Sequence, residues 1–285
     1  MVTVILCLLC LLFSSCKYDL QNAFYRSGDT DARTKVCCEL DPSDAPNPAT
    51  DIYTVAVFSD IHFGGKSSGR HEQAFLNWLE DLKNQNNSPA FCICLGDIAE
   101  HGQRSEFEDY NSFVAKVEAL LPSGGKVYNV LGNHDLYNNG WSDYKELIFP
   151  KQSFYHFKTT NFSWYCIDSA SGTLGKKQYD TIKRLFARDT APKIILTHIP
   201  VYSDPLNHMG YFSFQNTYEA DMVLTLYAKN NVKLVLDGHI HKSNKNYFGP
   251  FIELTVPGFT DKNSWNLITI DETRKTISEE LIFGD

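Results

Sequence analysis

The stretch TVAVFSDIH, residues 54–62, joins an apolar run to a pair of side chains that commonly bind metals. Residues 54–58 predict a buried strand, because a short apolar run bounded by polar residues is typical of one. Asp60 and His62 follow at the carboxyl end of that strand. Ligands bind at this edge of open α/β sheets. The stretch therefore indicates an α/β fold and the side of the sheet that carries the site.

Four further stretches repeat this arrangement, each a predicted strand followed by Asp, Asn or His: AFCICLGD (90–97), VYNVLGNHD (127–135), KIILTH (193–198) and KLVLDGHIH (233–241). Together the five stretches deliver seven metal-type side chains to one edge: Asp60, His62, Asp97, Asn133, His198, His239 and His241. Two cations about 3.5–4 Å apart need one carboxylate to bridge them. Asp97, on a neighbouring strand end, is the predicted bridge of a two-metal site.

The ordered pattern D-x-H, G-D, G-N-H-D, H and G-H-x-H resembles the calcineurin-like metallophosphoesterase superfamily over residues 54–270. A five-part match is specific where any single part would be weak. The resemblance implies an α/β (α+β) fold, a four-layer αββα sandwich of two mixed β-sheets flanked by helices. It also implies one metal held by Asp60, His62, Asp97 and His241, and a second held by Asp97, Asn133, His198 and His239.

The resemblance further implies that His134 is a catalytic residue and not a metal ligand. His134 would protonate the leaving oxygen or stabilise charge on the phosphoryl group, with Asp135 orienting it from behind. The expected function is dinuclear-metal-dependent hydrolysis of a phosphoester bond, by a phosphodiesterase or a phosphomonoesterase. The expected cofactors are two divalent or trivalent transition-metal ions (Mn, Fe or Zn), since N/O ligand sets suit all of them. The alternative is a metal-binding surface lipoprotein with a binding or adhesion role and no turnover.

The composition is that of an ordinary globular protein. Hydrophobic residues make up 43% of the chain and charged residues 21%, an ordinary balance. The net charge is −8 and no Lys/Arg cluster stands out. Dedicated nucleic-acid binding is therefore not expected, because its footprint would be a basic patch.

Residues 1–16 are predicted to be a signal peptide. An apolar run from Val2 to Phe13 is too short to span a bilayer comfortably and leads into small residues. The segment 13–16 resembles a bacterial lipobox, which would make Cys16 the lipidated first residue of a lipoprotein in the cell envelope. No Lys or Arg precedes the run, so periplasmic or secreted protein and an uncleaved membrane anchor remain alternatives. Residues 17–50, rich in Pro and Asp, predict a flexible linker before a metallophosphoesterase domain at 51–285.

The remaining chain alternates between helical and strand-like patterns. Helical spacing predicts helices near 70–84 and 104–121, and again around 179–186 and 222–227. Residues 154–168 and the C-terminal third predict antiparallel hairpins. The aromatic stripes on the helices are expected to be core.

Several residues remain without an assigned role. Cys92, Cys94 and Cys166 are expected to be small apolar residues in strands, whereas no partners can be deduced for Cys37 and Cys38. The long loop Val201–Thr217 is expected to be functional. Weaker candidates for substrate contact are His71, His101, His156, His208, Arg70, Arg104, Tyr202, Tyr211 and Phe212.

Overall fold

The computed structural model describes residues 27–202, 214 and 216–284. The strands of this part are β1 (Cys38–Glu39), β2 (Ile52–Phe58), β3 (Phe91–Cys94), β4 (Val127–Asn129), β5 (Tyr155–Lys158), β6 (Ser163–Cys166), β7 (Lys193–Leu196), β8 (Val232–Asp237), β9 (Asn244–Tyr247), β10 (Ile252–Thr255), β11 (Ser264–Asp271) and β12 (Thr276–Phe283). The helices are α1 (Ser27–Arg33), α2 (Glu72–Asn84), α3 (Arg104–Glu118), α4 (Trp141–Leu147), α5 (Gly175–Phe186), α6 (Thr217–Lys229) and α7 (Phe259–Lys262), with a 3₁₀ helix at His134–Asn139.

The strands form two mixed sheets. Sheet A has seven strands in the order β1-β5-β6-β7-β8-β10-β9, and sheet B has five in the order β12-β11-β2-β3-β4. Val57 and Ile93 of sheet B share one buried cluster with Trp164 and Leu234 of sheet A, so the sheets pack face to face. Helices α2 and α3 cover the other face of sheet B, and α5 and α6 cover the other face of sheet A. The predicted αββα sandwich is confirmed.

The predicted helices and hairpins are present with small shifts at their ends. The hairpin predicted over 154–168 is the antiparallel pair β5–β6, and β9–β10 and β11–β12 supply two more in the C-terminal third. Among the residues described, no helix combines the length and apolarity that crossing a bilayer requires. All five cysteines in this part are free thiols, and Cys92, Cys94 and Cys166 are buried in β3 and β6 as expected.

The prediction of a flexible linker over residues 17–50 is wrong for its described part, residues 27–50. Helix α1 packs on the start of α5, where the backbone N–H of Lys177 donates to Asp31 (2.9 Å). Arg33 forms an ion pair with Asp168, its Nε 2.9 Å from Oδ2, and both side chains are buried. Strand β1 then adds to the edge of sheet A beside β5. The domain therefore includes residues from Ser27 onward, and residues 1–26, with Cys16, lie outside the described part.

Candidate metal centre

The structure brings all seven predicted ligands together on loops at the carboxyl ends of five strands. In sheet B, β2, β3 and β4 are parallel neighbours, and in sheet A, β7 and β8 are. The first three strands lead into Asp60–His62, Asp97 and Asn133. The other two lead into His198 and the segment 239–241. The site therefore straddles the edge shared by the two packed sheets.

We name the cluster of Asp60, His62, His241 and Asp97 metal position 1. Ligand atoms of the first three lie within 4.8 Å of one another. The Nε2 atoms of the two imidazoles are 3.2 Å apart. Oδ1 of Asp60 is 3.2 Å from Nε2 of His241 and 3.9 Å from Nε2 of His62. Oδ2 of Asp97 is 3.9 Å from the same atom of His62. Four donor atoms thus surround one point.

The second cluster, which we name metal position 2, consists of Asp97, Asn133, His198 and His239. Ligand atoms of Asp97, His198 and His239 all lie within 4.8 Å of one another. Nε2 of His198 is 3.3 Å from Oδ2 of Asp97 and 3.1 Å from Oδ1 of Asn133. The same Asp97 oxygen therefore faces both positions, as the predicted bridge must.

The donor set fits transition-metal cations. Oδ1 of Asp60 is fully buried and makes no hydrogen bond, so only the imidazoles 3.2 Å and 3.9 Å away offset its charge. A mixture of carboxylate oxygens, an amide oxygen and imidazole nitrogens suits Mn, Fe, Co, Ni and Zn alike. A bound cation would coordinate this buried oxygen of Asp60 and separate imidazoles that otherwise crowd one another.

Five of the seven ligands have left-handed backbone conformations, with φ of 57° at Asp60, 50° at His62, 50° at Asp97, 68° at His239 and 53° at His241. Such conformations are uncommon outside glycine and cost of order 1–3 kcal/mol each. Residues held in this way cluster at functional sites, where the surrounding structure enforces them.

Glycines in the motifs let the loops approach closely. A Cβ at Gly132 would overlap Asp97, and one at Gly238 would overlap Ser59. These glycines bring the loops of β3 and β4, and those of β2 and β8, into direct contact.

Protons occupy the site in the absence of cations, as the pKa shifts indicate. Burial alone would raise the pKa of the Asp60 carboxyl, but the imidazoles around it, His241 first, hold it below its usual range. Burial also opposes ionisation of Asp97, yet His198 lowers its pKa to about 2. Burial would lower the pKa of both imidazoles, but Asp97 raises that of His198 to about 9 and Asp60 raises that of His241 to about 10. Metal binding must displace these protons.

His134 lies beside metal position 1. Its ring is 4.7 Å from the His62 ring, edge to face. Its Nδ1 donates to the backbone carbonyl of Glu100 (2.8 Å), which leaves Nε2 as its free nitrogen. The side chain is 26% exposed, so this nitrogen can meet a substrate from solvent. The backbone N–H of His134 donates to Oδ1 of Asp97 (2.8 Å) and ties the loop to the bridge.

Asp135 does not orient the His134 ring, contrary to the sequence-based prediction. It is fully buried, and its two carboxylate oxygens accept the backbone N–H groups of Ala99 (2.9 Å) and Gly132 (2.8 Å). Both residues begin the 3₁₀ helix, in which successive side chains point about 120° apart. Asp135 therefore points away from the ring and holds the loops of β3 and β4 together.

Sequence reasoning missed four residues that support the site. Glu100 lies 2.9 Å from Nδ1 of His62 and Asp261 lies 2.6 Å from Nδ1 of His241. Thr260 donates its hydroxyl to the backbone carbonyl of Asp60 (2.7 Å). Ser169 accepts the backbone N–H of His198 (3.2 Å). Only Glu100 stood inside a recognised motif, three residues after Asp97.

Three of the weaker candidates have partners other than the seven candidate ligands. Arg104 pairs with Glu146 and Asp143 on the surface, and His156 is buried in β5 against Tyr165. His101 pairs with Glu106 (2.9 Å) and is half exposed. His208, Tyr211, Phe212 and most of the Val201–Thr217 loop lie outside the described residues.

One exposed aromatic side chain near the site was not predicted. Tyr137 is 47% exposed, and its ring lies 4.7 Å from that of His134.

Comparisons with known proteins agree with the fold. Residues 53–243 match the family model for calcineurin-like phosphoesterases. A dimetal phosphatase from Danio rerio is similar in structure, with a TM-score of 0.57 at 12% identity over 82% of this chain and 99% of that one. No curated protein matches the sequence.

Two further solved structures share the fold. GAP50, described as the anchor in the inner membrane complex of Plasmodium, has a TM-score of 0.55 at 14% identity over 82% of this chain and 89% of that one. A 5'-nucleotidase, so described provisionally, from Staphylococcus aureus has a TM-score of 0.52 at 12% identity over 82% of this chain and 55% of that one. At these identities the likeness concerns the fold alone.

Proposed function

The chain belongs to the calcineurin-like phosphoesterase family, and from that premise we propose that it hydrolyses a small phosphoester with two transition-metal ions, Mn, Fe or Zn. The single observation that carries the proposal is the position of Asp97. One of its carboxylate oxygens faces His62 of metal position 1 and His198 of metal position 2. A shared carboxylate between two N/O clusters is what a pair of cations acting on one substrate requires.

The bound cations would supply Lewis acidity, a water of lowered pKa and a template for the substrate. The chain's own residues would hold the cations, donate a proton and position the loops of the site. Asp97 and Asp60 would supply the negative charge that holds the cations. His134, held by the Glu100 carbonyl, presents Nε2 toward the leaving oxygen, and in its protonated form would donate a proton to it. Asp135 keeps the His134 loop against the loop of β3.

A turnover screen tests the proposal. The chain stripped of metal and reloaded with Mn²⁺ should hydrolyse p-nitrophenyl phosphate, bis-p-nitrophenyl phosphate or both, and the ratio of the two rates decides between a monoesterase and a diesterase. His62→Gln should abolish turnover. His156→Gln, at a buried histidine outside the site, is the matched control and should retain it. Absence of turnover on these compounds, nucleotides and phospholipids would refute the proposal.

The second candidate function is a surface lipoprotein that binds metals or a partner without turnover. What favours it is that one protein of this fold is described as an anchor in a membrane complex. The screen separates the two functions, because this candidate predicts metal binding with no hydrolysis.

We also propose export and anchoring through a lipid on Cys16. The support is in the sequence alone: an apolar leader, small residues at 14–15 and a cysteine at 16. Several acyl chains would give durable membrane attachment where one would be marginal.

A further inference from the structure

We propose that Asp261 and Glu100 are positioning residues that set the metal affinity of position 1, a claim that rests on the proposed two-metal function. Each carboxylate lies behind an imidazole ligand of that position, on the nitrogen that faces away from the cation. Such outer carboxylates fix the tautomer and orientation of the ring and raise its basicity as a ligand.

Asp261 supports His241. Its Oδ2 lies 2.6 Å from Nδ1 of His241, and an ionised carboxylate can only accept, so Nδ1 carries the proton. Nε2, which lies 3.2 Å from Asp60 in this structure, is then the nitrogen that would offer its lone pair to a cation once its own proton is displaced. Asp261 is about half exposed, so this contact is its evident role and it is not part of the core.

The segment 258–261 wraps around metal position 1 as a unit. Gly258 packs so closely on the His241 ring that an added Cβ would meet it at 2.8 Å. The backbone N–H of Phe259 donates to the Ser59 carbonyl (2.8 Å) and Thr260 donates to the Asp60 carbonyl (2.7 Å). Asp261 completes the segment. It lies beyond residues 53–243, the stretch that matches the family model.

Glu100 lies beside His62 as an ion-pair contact, and Nδ1 of His62 makes no aligned hydrogen bond in this structure. Oε2 of Glu100 lies 2.9 Å from Nδ1 of His62, while Nε2 of that ring faces the cluster. The backbone carbonyl of the same residue accepts from His134. Changing the Glu100 side chain therefore removes the ion-pair contact to His62 and leaves the contact to His134 in place.

At metal position 2, the outer partner of His198 is neutral: its Nδ1 donates to the backbone carbonyl of Leu95 (2.7 Å). Asn133 contributes a neutral amide oxygen where position 1 has the Asp60 carboxylate. Asp261 and Glu100 lie against imidazoles of position 1. Loss of an outer carboxylate should weaken position 1 and spare position 2.

Mn²⁺ binding to the metal-stripped full chain tests this, by equilibrium dialysis with electron paramagnetic resonance of the free ion. Asp261→Asn keeps an acceptor for His241 but loses the charge, and should raise one of the two dissociation constants about 10–100-fold. Asp261→Glu should restore much of the loss. Glu100→Gln should weaken the same position, and Asp109→Asn, an exposed carboxylate on α3, should change neither constant.

The affected position is identified in single-site backgrounds. With position 2 disabled by Asn133→Ala, adding Asp261→Asn should raise the remaining constant by the same factor. With position 1 disabled by Asp60→Asn, adding Asp261→Asn should leave the remaining constant unchanged. Fewer than two Mn²⁺ on the wild-type chain would refute the two-metal function itself. Two ions on the wild type with unchanged constants in Asp261→Asn and Glu100→Gln, or equal losses at both positions, would overturn the positioning roles alone.

Discussion

Replacing the bridge, Asp97→Asn, is the sharpest test of the two-metal site. The change keeps the local structure, because the amide oxygen can still accept the His134 backbone N–H that Oδ1 accepts at 2.8 Å. What it removes is the charged oxygen between His62 and His198. An amide nitrogen in that place has no lone pair for a metal, so both positions lose the same ligand at once.

The size of the effect follows from electrostatics. Two unit charges 4 Å apart interact by about 4 kcal/mol at an effective dielectric constant of about 20. Because every 1.4 kcal/mol is tenfold in a dissociation constant, each ion should bind roughly 10³-fold more weakly. Divalent cations in direct contact with the carboxylate would lose more than this figure.

Elemental analysis after gel filtration measures the outcome. The wild type should retain two ions per chain and Asp97→Asn clearly fewer than two, with loss at both positions. Asp109→Asn controls for the change in net charge. A thermal melt in chelator should show that the metal-free variant remains folded. Two ions per chain at wild-type affinity would refute the bridging assignment.

The other predictions concern proton transfer, pH and location. His134→Gln should keep two metals but lower kcat by about 10²–10⁴-fold, more for alkyl than for p-nitrophenyl leaving groups; equal losses would mean that His134 only positions the phosphoryl group. In chelator, protons on His198 and His241, whose pKa values are raised to about 9 and about 10, stabilise the fold fully below their ordinary value of about 6.5, and this stabilisation is lost as the pH rises through 9 and 10. The Tm should therefore fall over that range more steeply in chelator than with Mn²⁺, and parallel curves would contradict the protonated site. Cys16→Ser should move the protein from the membrane fraction to the soluble one while Cys38→Ser does not, and retention of the Cys16 variant after carbonate washing would favour an uncleaved anchor.

The fold and the clustering of the candidate ligands could be predicted from sequence because their signals are local. An apolar strand followed at once by Asp or His, as at Asp60 and Asp97, fixes both the element and the edge at which its side chain emerges. Strand β9, by contrast, has the sequence NKNY and no apolar pattern. It is a strand because β10 pairs with it, and such pairing depends on the tertiary structure.

The residues around the ligands could not be predicted for related reasons. Asp261 meets His241 only because the chain returns to the site after β10. Asp135 adjoins His134 in sequence, but the 3₁₀ helix separates the directions of their side chains. Arg33 lies in a Pro- and Asp-rich stretch typical of linkers, and its partner Asp168 is 135 residues away. Composition cannot reveal an ion pair of that kind.

The docking of α1 on the domain limits how far the domain could lie from an anchor at Cys16. A free segment of 34 residues, 17–50, could extend roughly 110–120 Å from Cys16, whereas the ten residues 17–26 can extend only roughly 35 Å. Arg33 of α1 forms an ion pair with Asp168, and the adjacent Ser169 accepts the backbone N–H of His198. A lipid on Cys16 would thus keep the catalytic edge in a thin layer above the headgroups. Confinement of that kind raises the effective concentration of phosphoesters carried on the same surface, as a short tether does for any pair of linked partners.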